Sequence, residues 1–341
     1  MQDWCTWDDD YNMNIVQKIR TDLVKLATSD TKDYTSVLIQ GSGTYSVESA
    51  IGSLIPATGT LLVLSNGAYG KRIAEIAKIL KINTIEYEEE EDRVHDIGKF
   101  NALLNDVPSV THVAMVHCET TTGILNPVSD IAALCRKKGK IFILDAMSSF
   151  GGIPMDISVM NIDVLISSAN KCIQGVPGFG FVILKKDIIC NCSGIARSLS
   201  LDLYHQWLTM ENSNGKWRFT SPTHVVRAFM QALKELEEEG GIEKRHKRYC
   251  ENQRTLVQGM NQAGFKTFIA DKWQSPVITS FLYPRNRNFN FSTFYACLKN
   301  KGFVIYPGKI SSFNTFRIGT IGEVYPEDIL RLTETVREVA Y

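Results

Sequence analysis

The sequence has no excess of charge of either sign. Over 341 residues, Lys and Arg together number 37, and Asp and Glu also number 37. A balanced chain offers no electrostatic footprint for nucleic acid or an anionic membrane surface, and neither partner is expected. No apolar run approaches the roughly 18 residues that a bilayer-spanning helix needs. The opening residues, MQDWCTWDDDYN, are acidic and aromatic, unlike the basic and apolar leader of a secreted or imported chain. Paired cysteines are missing as well. Cys5, Cys118, Cys135, Cys172, Cys190, Cys192, Cys250 and Cys297 form no CxxC motif, and the close pair at 190 and 192 has no matching pair elsewhere. Scattered thiols in a chain of this length argue against a disulfide framework and for a reducing, cytoplasmic compartment. The histidines show no HExxH or comparable spacing, so no metal site is expected. There is no internal repeat and no low-complexity segment.

What the chain does have is alternation. Residues 36–40 (SVLIQ), 60–64 (TLLVL), 83–87 (NTIEY), 112–117 (HVAMVH), 140–144 (KIFIL), 163–167 (DVLIS) and 179–184 (FGFVIL) read as strands. Helical stretches at 47–55, 70–80 and 129–138 separate several of them. Strands alternating with helices indicate βαβ units and a mainly parallel sheet covered by helices, an α/β fold. The acidic run 88–92 reads as a solvated loop. From His224 the chain turns helical and charged, past Gly240-Gly241, and connects into a smaller α+β domain. The division is expected at 1–245 and 246–341, with runs 276–283 and 302–306 supplying strands to the second part.

Ligands of open parallel sheets bind at the carboxyl ends of the strands, and three unusual groups fall there. Gly41-Ser42-Gly43-Thr44 follows the first strand and opens a helix. Its glycines allow close backbone approach, and a helix N-terminus offers unpaired N–H groups to a phosphate. Alone, such a turn is unspecific. Asp145 ends the strand KIFIL and is either a helix N-cap or the partner of a buried cation. Lys171 follows the strand DVLIS and precedes the glycine-rich run Gly175-Val176-Pro177-Gly178-Phe179-Gly180; alone it reads as a surface lysine in a turn. Together the three meet the needs of pyridoxal phosphate. That cofactor requires a phosphate cradle, a carboxylate that keeps the pyridine nitrogen protonated, and a lysine to hold the aldehyde as a Schiff base.

The sequence resembles the fold-type-I pyridoxal-phosphate enzymes of the class V aminotransferases along essentially its whole length. The resemblance rests on WCTWDDDY (4–11), QGSGT (40–44), NGAYG (66–70), HCETTTG (117–123), DAMSS (145–149), SSANKCIQGVPGFGF (167–181), SLSLD (198–202), KWRFTSP (216–222) and FRIG (316–319). It implies that Lys171 is the Schiff-base lysine, Asp145 the pyridinium partner, and Ser42, Gly43 and Thr44 the phosphate cradle. It further implies that Tyr69 stacks on the cofactor ring, that Thr120 bonds the phenolic oxygen, and that Arg317 clamps the acidic group of the substrate. Read as bare sequence, Tyr69 is a turn tyrosine, Thr120 a helix cap and Arg317 a surface ion-pair residue. Thr220 corresponds to a phosphate contact given by the other subunit, which implies a homodimer with shared active sites.

The WCTWDDDY and SANKCIQGVPGFGF runs narrow the resemblance to the branch acting on a phosphonate amine. It implies amino transfer from 2-aminoethylphosphonate to pyruvate, giving phosphonoacetaldehyde and alanine. The ETTTG and NGxxG elements are shared with alanine–glyoxylate aminotransferases, so alanine–glyoxylate or serine–pyruvate transfer is the nearest alternative. A cysteine desulfurase is disfavoured, since none of the cysteines sits in a recognisable loop motif. From a different class, the alternative is a cofactor-free binding protein on the same fold. Family members carry an upstream Thr-Pro-Gly-Pro-type stretch that reaches toward the active site. This sequence begins just before WCTWDDDY, and a substrate pocket lacking that contribution is the expectation.

Overall fold

The computed structural model describes residues 4–284, 289–308, 310 and 313–339. A π-helical turn at Asn12–Gln17 leads into α1 (Lys18–Ala27). Then β1 (Tyr34–Gly41), α2 (Gly43–Leu54), β2 (Thr60–Ser65), α3 (Ala68–Ile79), β3 (Asn83–Glu88), α4 (Ile97–Asp106) and β4 (His112–Val116) alternate strictly. A small hairpin, β5 (Cys118–Glu119) and β6 (Ile124–Leu125), interrupts the rhythm before α5 (Val128–Lys137). The remaining strands of the large sheet are β7 (Ile141–Asp145), β8 (Val164–Ser168) and β9 (Gly178–Lys185).

The sheet has seven strands in the order β1-β9-β8-β7-β4-β2-β3. Neighbours from β3 to β8 run parallel, while β9 is antiparallel to both β8 and β1. Every residue of β2, β4 and β8 is buried, the pattern of strands covered on both faces. After β3 the chain returns across β2 to place β4 on its other side. That reversal of direction opens a crevice at the carboxyl ends of the strands.

The chain continues through α6 (Lys186–Cys190), α7 (Leu203–Asn212), α8 (Thr223–Glu238) and α9 (Gly241–Gln262). A second, three-stranded sheet, β10-β12-β11, is built from β10 (Ile278–Leu282), β11 (Tyr306–Pro307) and β12 (Thr315–Gly319). It packs with α10 (Phe291–Asn300) and α11 (Pro326–Val339). The strand expected over 302–306 is not formed: the ladder begins at Tyr306 and holds two residues. Gly302, at φ +90°, turns the chain out of α10 instead, and Pro307 lacks the N–H that would extend the pairing.

Hydrophobic packing has two main centres. One gathers buried residues from Tyr11 to Leu233 around the large sheet, and the other runs from Leu256 to Val336. A smaller cluster draws residues from both stretches of sequence, among them Cys118, Cys172, Tyr249 and Ile278. The 22-residue helix α9 crosses the division expected at 245/246 without a break.

Candidate active site

The strand ends surround a cavity of about 240 Å3 whose walls include Ser42, Gly43 and Thr44, Tyr69, Asp145 and Lys171. Six residues singled out in the sequence therefore meet in one place. A groove of about 910 Å3 runs between α1 and α8, but it is lined by helix faces and none of those residues reaches it.

The first wall is the start of α2. Gly41 holds φ +116°, and a Cβ there would fall 2.7 Å from the Tyr45 ring, so glycine alone fits the turn comfortably. Ser42 is the N-cap residue yet makes no side-chain cap bond. Among the described residues, the amides of Gly43 and Thr44 have no acceptor. The first amides of a helix lack internal partners and favour an anion.

Asp145 ends β7 with 6% of its surface exposed. Its Oδ1 accepts from the Met147 amide at 2.9 Å, the only hydrogen bond of its carboxylate among the described residues. Burial pushes its pKa up to about 6, further raised by the Glu119 charge and opposed by the Met147 bond, Arg72 and Lys171. The bond to residue 147 closes a local turn, so the cap expected from sequence is present in miniature. Among the described residues the carboxylate makes no ion pair, and the more distant charges of Arg72 and Lys171 offset its burial only in part.

Lys171 sits in a tight turn after β8. Gln174 donates its amide to the Lys171 carbonyl at 2.9 Å and itself takes φ +66°. The turn is pinned from α9: Arg245 donates to the Cys172 carbonyl at 2.8 Å, and Gln174 Nε2 donates to the Tyr249 hydroxyl at 2.8 Å. Lys171 Nζ makes no hydrogen bond or ion pair among the described residues. The amine is half-buried on a pinned turn and enters no ion pair among the described residues, so the surface-lysine alternative does not describe it.

Tyr69 is the second residue of α3, not part of a free turn, and the Arg72 guanidinium lies 4.9 Å from its ring centre. The amides of Tyr69 and Gly70 donate to Glu119 Oε2 at 2.9 and 3.3 Å. Glu119 also accepts from the Thr121 amide and hydroxyl, at 3.2 and 2.6 Å. Wholly buried, it has its pKa raised by burial against the pull of those four bonds.

Three expected site residues do not line the cavity. Thr120 occupies the turn between β5 and β6, away from any helix start, so the cap alternative does not apply. Its carbonyl accepts from Arg317 Nη1 at 2.8 Å, while Arg317 Nε donates to the Pro307 carbonyl at 3.1 Å. Arg317 is thus buried and tied to backbone, not paired at the surface, and its Nη2 makes no hydrogen bond among the described residues. Thr220 is exposed in the loop before α8 and makes no hydrogen bond among the described residues.

Sequence reasoning missed Glu119, Arg72 and Arg245. Glu119 had a visible signal, as a carboxylate inside an otherwise neutral and buried run; Arg72, three residues after Tyr69, and Arg245, six after its ion-pair partner Glu239, sit on charged helices where no local pattern singles them out.

The family model described as aminotransferase class-V matches residues 10–318. The 2-aminoethylphosphonate–pyruvate transaminase of Bacteroides fragilis is 60% identical over 341 residues, covering 100% of this chain and 94% of its own. The protein of that name from Bacillus thuringiensis is 58% identical over 336 residues, covering 98% and 92%. Among solved structures, the alanine–glyoxylate aminotransferase of Nostoc sp. superposes with a TM-score of 0.91 over 100% of this chain and 90% of that one. At 19% identity the likeness is one of fold.

Proposed function

The chain belongs to the class V aminotransferases, and within that family we propose that it binds pyridoxal phosphate and moves the amino group of 2-aminoethylphosphonate to pyruvate, releasing phosphonoacetaldehyde and alanine. The observation that carries the cofactor is the meeting of Lys171, Asp145 and the start of α2 in one cavity. The unpaired amides at 43 and 44 fit a phosphate, the under-compensated carboxylate of Asp145 fits a protonated ring nitrogen, and the unpartnered amine of Lys171 fits an aldehyde carbon. The donor and acceptor are read from the names of relatives near 60% identity.

Bound there, pyridoxal phosphate supplies an electron sink for bond breaking at the amine-bearing carbon. Ser42, Gly43 and Thr44 would hold its phosphate and Tyr69 would stack on its ring; Thr120, outside the cavity lining in the turn between β5 and β6, would have to reach the ring's phenolic oxygen from there. Asp145 stabilises positive charge on that ring. Lys171 Nζ would move a proton between the substrate carbon and the cofactor's aldehyde carbon, as general base and then general acid. Arg317, with Nη2 uncommitted, binds the phosphonate of the donor and the carboxylate of pyruvate in turn, a task suited to a guanidinium.

The reading includes a homodimer in which Thr220 reaches the phosphate of the neighbouring subunit. Its exposure and its lack of hydrogen bonds among the described residues support this. So do exposed apolar side chains: Tyr45 follows the cavity-lining Thr44, Val176 precedes the cavity-lining Pro177, and Phe219 stands next to Thr220 itself. No helix among the described residues is long and apolar enough to cross a membrane.

The test is alanine formation from pyruvate with 2-aminoethylphosphonate or serine as donor, alongside alanine with glyoxylate. The phosphonate donor is expected to lead in kcat/KM by at least roughly a hundredfold, since a site built for a polar group rejects donors that leave it unpaired. Preference for serine, or for alanine with glyoxylate, overturns the substrate assignment and leaves the family intact.

A further inference from the structure

The segment Trp7-Asp8-Asp9-Asp10-Tyr11 lies outside the cavity, yet it is fastened to the loop that carries Thr220. The Tyr11 hydroxyl is hydrogen-bonded to Ser221 Oγ, and both residues are buried, Tyr11 completely. Around that bond the two segments touch repeatedly. Lys216 Nζ stands 3.9 Å from the centre of the Trp7 ring, and Asn214 Nδ2 donates to Asp9 Oδ1 at 3.4 Å. Gly215, at φ +90°, passes so near the π-helical turn that a Cβ would lie 2.7 Å from the Asn12 carbonyl oxygen. Single π-helical turns recur at functional sites.

The far side of the loop is held separately. Gln206 accepts the Arg218 amide at 3.1 Å, and the Trp217 ring meets Phe179 of β9 edge to face. The loop is therefore gripped at 217 by β9, at 218 by α7 and at 221 by Tyr11. Thr220 lies between these grips and makes no hydrogen bond among the described residues. Burial pushes the Tyr11 phenol up to about 12, so it keeps its proton throughout the neutral range.

We propose that Tyr11 is a positioning residue for the neighbouring subunit: by bonding Ser221 it fixes the loop from which Thr220 reaches the cofactor phosphate of the partner's site. The inference rests on the shared-site reading given above, and it assigns the WDDDY segment a task exerted in trans. A hydroxyl contact across an interface is productive only if its backbone is placed before the partner arrives, because ordering a loop on binding weakens the contact it makes. Removing one hydrogen bond next to Thr220 has an effect of about fivefold, the usual net value of such a bond.

Heterodimers read this directly. When one subunit carries Lys171→Ala, only the other can give the visible absorbance of the lysine-linked cofactor. Titrating that absorbance with pyridoxal phosphate reports a single site. Tyr11→Phe placed on the Lys171→Ala subunit, the chain that lends its Thr220, is expected to raise the apparent Kd about fivefold. The same substitution on the intact subunit is expected to leave Kd unchanged. Ser221→Ala on the lending subunit should reproduce the loss, and it spares the buried ring. Equal effects from both placements overturn the proposal. So does no effect from either, provided Thr220→Ala on the lending subunit does weaken binding. If Thr220→Ala in that position changes nothing, the shared-site reading itself is overturned.

Discussion

At the scale of single residues, Asp145 shows how one position carries two demands. Burial raises its pKa to about 6, so the carboxylate is mostly ionised at pH 7 and mostly protonated at pH 5. Its proposed partner, a protonated ring nitrogen, needs the ionised form. Binding must then compete with the proton Asp145 holds in acid. Between pH 7 and pH 5 the cofactor affinity of the wild-type protein should fall about tenfold more than that of Asp145→Asn, since one ionisation a unit above the lower pH is worth that factor. Fluorescence titration at the two pH values checks this. Parallel profiles would mean that Asp145 does not meet the ring, and that its bond to Met147 is only a turn closure. The cap alone is worth about 1 kcal/mol and would appear in the melting temperature, not in the pH profile of binding.

At the scale of elements, the hairpin β5–β6 joins the large sheet to the small one. Its Glu119 carboxylate holds the start of α3, which presents Tyr69, and its next carbonyl, at Thr120, is gripped by Arg317 of β12. Replacing Glu119 by Gln puts an amide donor among four groups that already donate. That should cost on the order of 1–3 kcal/mol of stability and weaken cofactor binding through Tyr69. Thermal melting and cofactor titration check the two effects separately, and an unchanged Kd would reduce Glu119 to a packing role. Tyr69, Thr120 and Arg317 were named from sequence, but the links between them were not legible there, because hydrogen bonds that join residues 50 or 197 positions apart leave no local pattern. The strands of the large sheet were legible, since strands buried on both faces read as continuous apolar runs such as Leu61 to Leu64. An apolar run has no arrow, however, so the reversed direction of β9 was not. The false strand at 302–306 has the same origin: Phe303, Val304 and Ile305 suit a strand, and only the backbone chemistry of Gly302 and Pro307 argues otherwise. Lys171, Asp145 and the turn at 41–44 were legible because each breaks an apolar run where a parallel sheet places its ligand.

At the scale of the whole molecule, the sheet that builds the site also makes the protein sensitive to acid. His112 opens β4 and His117 follows its end, and burial lowers both to a pKa of about 4; burial also lowers His95. A histidine depressed in the fold is protonated first in the unfolded chain. Its contribution to stability is therefore present above about pH 6.5 and lost as the pH falls from there toward 4. For His112 and His117 the limiting loss is on the order of 3 kcal/mol each. Asp145 has the opposite sign: raised from 3.8 to about 6, it favours the empty fold below 3.8, and that contribution is lost as the pH rises through 6. Asp145 therefore offsets part of the histidine loss as the pH falls, and the buried Glu119, also raised, acts in the same direction. The cofactor-free protein should therefore melt at a lower temperature at pH 5 than at pH 7. His117→Asn should flatten the dependence by close to one proton taken up on unfolding. Calorimetry across that range decides the matter, and a melting temperature that holds level would mean the buried imidazoles are already compensated within the fold.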